Sequence, residues 1–98
     1  MTVTRAQVTA LPKAELHLHI EGTLEPELAF KLAARNGVTL PYQDVAALSG
    51  AYSFSDLSSF LALYYECMAV LRTAEDFADL SSAYLARARQ DEIGRAHV

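Results

Sequence analysis

A chain of 98 residues with a formal charge of −4 and 52% apolar residues reads as one small acidic unit with enough apolar material for a modest core. Its acidity argues against nucleic acid as a partner. No apolar run approaches the length that crosses a bilayer, and Met1-Thr2-Val3-Thr4-Arg5 lacks the apolar centre of a signal peptide.

Residues 1–9 read as a polar lead-in that frays. After Leu11-Pro12 the chain alternates strictly. Lys13, Glu15, His17, His19 and Glu21 are polar or ionisable, and Ala14, Leu16, Leu18 and Ile20 are apolar. Alternation is the strand period, so His17 and His19 leave one face about two residue rises apart. Two imidazoles at that spacing converge on one cation, with zinc–nitrogen bonds of about 2.0–2.1 Å. An amphipathic edge strand with its polar face in water produces the same alternation. Gly22-Thr23 ends the strand, which puts the histidines at its C-terminal end, where catalytic groups of α/β barrels collect.

Pro26 opens a helix over residues 26–35, with Glu25 and Glu27 complementing its dipole and Asn36-Gly37 as its stop. Leu28 and Leu32 share a face of it, and Ala29 and Ala33 allow close approach. Residues 44–48 make at most a short helical turn. Ser55 reads as the N-cap of the longest helix, over residues 56–71, with an apolar stripe of Leu57, Phe60, Leu61, Tyr64, Tyr65 and Met68. Cys67, the single cysteine, sits inside this pattern as a small core or interface residue. It cannot form an internal disulfide, and a reducing, cytoplasmic setting fits. Thr73 and Asp76 form a capping-box start for a last helix over residues 74–89, with Phe77, Leu80, Tyr84 and Ala88 on one side. The expectation is therefore one strand followed by mostly α-helix, with no second strand.

The run from Leu11 to Leu24, through Glu15-Leu16-His17-Leu18-His19-Ile20-Glu21-Gly22-Thr23, resembles the opening of the adenosine/adenine deaminases. The likeness continues through Leu40-Pro41-Tyr42, Tyr52-Ser53-Phe54, residues 60–65 and residues 70–77, and covers about residues 10–91. It implies an α/β fold, the N-terminal part of a metal-dependent (β/α)8 TIM barrel, with His17 and His19 as zinc ligands on the first strand. A complete barrel of this kind needs about 250 residues, so the sequence reads as an incomplete domain over residues 1–91. The resemblance implies that a third histidine, an aspartate ligand, a catalytic glutamate, and a histidine and aspartate for the attacking water lie on later strands. No catalytic residue therefore falls in this segment.

Adenosine deaminases usually carry Asp-Gly where this chain has Glu21-Gly22, and Glu21 resembles the adenine branch, which acts on the free base. A longer carboxylate there would occupy the space of the sugar. The alternative for Glu21 is a strand-end cap. The resemblance also implies that the helix carrying Phe60, Leu61 and Tyr64 lies over the pocket mouth and shields the base from water; plain packing is the alternative. Lys13 and Glu15, deeper on the stripe, read as an internal ion pair. The expected activity of the intact protein is zinc-dependent conversion of adenine to hypoxanthine and ammonia, with one Zn2+ per subunit and a small purine as partner. Adenosine to inosine is the alternative. A non-catalytic helical interaction module is an alternative of another class. Nothing in the sequence addresses the oligomeric state.

Residues 92–98 read as sequencing-adapter read-through, since Ile93-Gly94-Arg95-Ala96-His97-Val98 is what one frame of an adapter, ATC GGA AGA GCA CAC GTC, encodes. On the other reading His97 would be a third metal ligand. For the 98-residue chain alone, the expectations are no deaminase activity, weak zinc binding, an unpartnered strand, and exposed apolar faces at Leu28, Leu32, Phe77 and Leu80.

Overall fold

Thr4 begins the first helix. Its hydroxyl accepts from the Gln7 amide at 3.1 Å and the Gln7 side chain accepts from the Thr4 amide at 2.8 Å. This reciprocal cap makes a helix, α1 (Arg5–Ala10), where a polar lead-in was expected, because it satisfies two N-terminal donors within four residues. A computed structural model describes residues 2–96; His97, the possible third ligand, lies outside the described residues.

The alternating run yields a shorter strand than its pattern suggested, β1 (Lys13–Glu15). A second strand, β2 (Ile93–Ala96), lies beside it in parallel, pairing Lys13 with Ile93, Ala14 with Arg95 and Glu15 with Ala96. The Lys13 amide also donates to the Glu92 carbonyl at 2.6 Å. This corrects the expectation of one unpartnered strand. It also explains the shortening: among the described residues the ladder ends at the partner of Glu15, and strand geometry persists where a ladder satisfies the backbone. Beyond it Leu16 is 91% exposed and the chain turns through a 3-10 segment, Ile20–Thr23.

Between the strands stand α2 (Pro26–Asn36), α3 (Val45–Gly50), α4 (Leu57–Met68) and α5 (Ala74–Gln90). Gly37, at φ 66°, ends α2 in the left-handed conformation that its missing Cβ permits. Asp56, not Ser55, caps α4: its carboxylate accepts the Ser59 amide at 2.8 Å while the Ser59 hydroxyl closes the box. Two parallel strands joined through helices make an α/β arrangement, and the described residues do not close a barrel.

The core gathers Leu24, Ala29, Leu32, Leu40, Leu48, Leu63, Cys67, Val70 and Leu80. Leu32 and Leu80, expected to be exposed, are fully buried, because α2, α4 and α5 bury their inner faces against one another. Leu28 is half-buried, and Phe77 is exposed as expected. On α4 the buried face differs from the predicted stripe. Leu63 and Cys67, one turn apart, enter the core, while Leu57, Phe60 and Tyr65 are exposed and Leu61, Tyr64 and Met68 half-buried. The aromatic face of α4 is therefore turned away from the core.

An ionic cluster fastens α2 to α5. Asp76, fully buried, accepts from the Arg35 guanidinium, from Asn36 Nδ2 at 2.8 Å, and from the amides of Arg72 and Thr73, each at 2.9 Å. Arg35 also reaches Asp79 at 2.7 Å. Every hydrogen-bonding lone pair that burial took from water has a replacement, as a buried carboxylate requires.

Candidate functional site

His17 and His19 occupy the irregular stretch between β1 and the 3-10 turn. Burial still alternates there: both histidines are exposed, and Leu18 between them is buried. The turn then closes with the Gly22 amide on the His19 carbonyl at 2.9 Å and the Thr23 hydroxyl on the Ile20 carbonyl at 2.6 Å. Turn closure fixes the backbone directly after His19.

The two imidazole rings stand edge to face, with centroids 5.2 Å apart and planes at 87°. Two imidazoles bound to one tetrahedral zinc through bonds of about 2.0–2.1 Å bring their centres to roughly 5 Å, a separation this pair matches. Two nitrogens fill half of such a shell. Among the described residues no group of three or more His, Cys, Asp or Glu side chains converges on one point.

A cavity of about 490 Å³ opens beside His19, walled by Glu15, Leu18 and Gly22 on one side and by Phe60, Leu61 and Tyr64 on the other. Three of the residues singled out on α4 thus face one of the two histidines across open space. His17 does not line this cavity. Glu21 lies next door, on a smaller cavity of about 120 Å³ shared with Tyr52, Phe54, Phe60, Tyr64 and Cys67. The Tyr64 hydroxyl donates to Glu21 Oε2 at 3.3 Å. Burial and the Glu21 carboxylate both push the Tyr64 phenol up. Aromatic contacts run through this wall: Phe54 and Phe60 meet edge to face at 5.1 Å, Phe60 and Tyr64 at 6.0 Å, and Tyr64 and Tyr65 at 5.8 Å. Burial likewise raises the Cys67 thiol, in keeping with a core residue.

The expected Lys13–Glu15 ion pair is not formed. Lys13 Nζ donates to the carbonyls of Leu11 and Asp91, each at 2.9 Å, and of Thr9 at 3.3 Å, because the ends of α1 and α5 present unpaired carbonyls within its reach. Glu15 instead accepts from the Tyr84 hydroxyl at 2.6 Å, and that bond pushes the Tyr84 phenol up to about 12. The sequence concealed this pairing: Tyr84 reads as one member of an apolar stripe, and its partner is 69 positions away. The sequence did mark Asp76 as a cap, but nothing in it announced the link to Arg35 and Asn36.

The adenosine deaminase family model matches residues 12–98. The chain is 70% identical over 88 residues to the adenine deaminase of Streptomyces coelicolor, covering 90% of this chain and 26% of that protein. It is 58% identical over 86 residues to the adenine deaminase of Zymomonas mobilis, covering 88% of this chain and 26% of that one. The crystal structure of adenine deaminase from Arthrobacter aurescens superposes with a TM-score of 0.82 at 59% identity, covering 89% of this chain and 27% of the other. The chain thus spans about a quarter of the length of these relatives.

Proposed function

The chain belongs to the adenosine deaminase family, and on that premise we propose that it forms part of a zinc-dependent deaminase that converts adenine to hypoxanthine and ammonia. The observation that carries the site assignment is the His17–His19 pair, 5.2 Å between ring centres, beside a cavity faced by His19, Phe60, Leu61 and Tyr64. The choice of adenine is supported by the high identity to relatives named for that activity. In the reaction a water oxygen bonds to C6 of the purine, the C6–N6 bond breaks, and the amino group leaves as ammonia after gaining a proton.

His17 and His19 would hold the zinc together with ligands from the remainder of the full-length protein. When bound, zinc lowers the pKa of water towards 7 and so supplies hydroxide near neutral pH. The cavity beside His19 receives the base. Phe60, Leu61 and Tyr64 cover it and keep bulk water from weakening the electrostatics inside. Glu21, longer by one methylene than the aspartate usual in adenosine deaminases, takes up space a sugar would need. The catalytic acid and base are supplied from outside this segment, so the 98-residue chain alone is expected to be inactive.

The test is to assay the full-length protein on adenine and adenosine at matched concentrations. A clear preference for adenine is expected; preference for adenosine would assign the sister activity, and inertness on both would remove the reading. The cover has its own check. Phe60 is 41% exposed, so Phe60→Ala is expected to cost under about 2 kcal/mol of stability, below the roughly 3–5 kcal/mol of a buried Phe. Turnover of adenine should fall about tenfold or more. Urea melts beside steady-state kinetics separate this from plain packing, which predicts the reverse ranking.

A further inference from the structure

We propose that Tyr64 is a specificity-determining residue, whose phenol O–H holds the Glu21 carboxylate across the partition between the two cavities and thereby favours a free purine base over one carrying a sugar. This rests on the deaminase reading and names the residue that sets its substrate class.

The cavity of about 490 Å³ beside His19 and the cavity of about 120 Å³ beside Glu21 have Gly22, Phe60 and Tyr64 as common walls. Those three residues are the partition. The Tyr64 ring packs over Gly22 at ordinary van der Waals distance: a Cβ placed there would stand 3.8 Å from Tyr64 Cε2. Phe60 and Tyr65, on the same helix, meet the ring with centroids at 6.0 and 5.8 Å. From that position the hydroxyl reaches Glu21 Oε2 at 3.3 Å, which joins α4 to the turn that follows His19.

A glutamate has three rotatable side-chain bonds, and a half-buried one without a partner is free to swing into water. Tied to Tyr64, Glu21 stays against the smaller cavity. A sugar that extends from a purine bound beside His19 past Gly22 and Tyr64 enters the smaller cavity, and the pinned carboxylate occupies that space. The other wall that could yield is Glu15, but Tyr84 holds that carboxylate at 2.6 Å. Among the side-chain hydrogen bonds of the described residues, Tyr64 supplies the one that reaches Glu21, so removing that donor releases the carboxylate.

The experiment measures kcat/KM for adenine and for adenosine with the full-length protein, its Tyr64→Phe variant, its Glu21→Ala variant and the double variant. Tyr64→Phe keeps the ring and removes one donor. The adenine-to-adenosine ratio is expected to fall at least about tenfold, as loss of a hydrogen bond to a charged group predicts. Glu21→Ala should move the ratio in the same direction, and the double variant should add little to either change, because both remove one interaction. A purely structural role for Tyr64 would lower the thermal midpoint and leave the ratio alone. A ratio within about twofold of wild type in Tyr64→Phe overturns the inference while the deaminase reading stands. A wild-type protein that prefers adenosine or deaminates neither substrate overturns both.

Discussion

On the proposed zinc-dependent reading, replacing His19 with Ala in the full-length protein is expected to abolish adenine turnover, with a fall on the order of 10³-fold or more, and to remove bound zinc. His19 both lines the large cavity and stands 5.2 Å, ring centre to ring centre, from His17. Removing one of two neighbouring imidazoles opens a shell that zinc normally fills with three or four protein ligands, and the water it activates is lost with it. The fold should survive, because the His19 side chain is exposed and the turn after it is closed by backbone and Thr23 bonds. Metal analysis, steady-state kinetics and circular dichroism on the same sample separate these effects. His17→Ala should behave alike. Retention of both metal and rate in either variant would show that the histidines are not the ligands.

The largest loss of stability is expected from Asp76→Ala. That change removes the acceptor for Arg35, Asn36 and the amides of Arg72 and Thr73, and leaves two backbone donors in a site closed to water. A fall on the order of 1 M in the urea midpoint of the full-length protein is expected. The cluster also carries a pH signature. The Arg35 guanidinium, with the Arg72 and Thr73 amides and Asn36, holds the folded Asp76 carboxyl well below the ordinary carboxylate range. An unfolded aspartate titrates near about 4, so the stability contributed by Asp76 is complete above that value and is lost as pH falls below it, through the folded pKa. Urea midpoints measured from neutral pH downward should therefore drop less steeply at the acid end for Asp76→Asn than for the wild type. Parallel curves would show that the carboxylate is not the titrating group.

These two residues differ in how far the sequence disclosed them. His17 and His19 stood out because four adjacent positions of alternating polarity set them side by side. Their juxtaposition follows from the local chain, even though the strand proved shorter than its pattern. The ends of α2 and α5 were equally plain, since Pro26, Gly37, Thr73 and Asp76 act on backbone groups within a turn of themselves. What stayed hidden depends on partners far along the chain. Asp76 pairs with Arg35 across 41 positions and Glu15 with Tyr84 across 69. The direction in which α4 buries Leu63 and Cys67 is likewise set by the helices around it, because its apolar residues extend far enough around the axis to offer more than one face. The helix α1 was missed for a different reason: Thr4 and Gln7 are three apart in a segment otherwise read as polar.

The pairing of β1 with β2 implies an order of events when the chain folds. The cluster that joins α2 to α5 spans 41 positions, whereas Lys13 must meet the Glu92 carbonyl and Ile93 from the opposite end of the described chain. Closing so long a loop costs little more at equilibrium than closing a short one, about 0.6 kcal/mol for each doubling of length. Its effect is on the rate, since distant contacts form slowly until the intervening helices have drawn the ends together. The stretch bearing His17 and His19 leaves β1 directly, so its placement is tied to the pairing that spans the longest separation along the described chain.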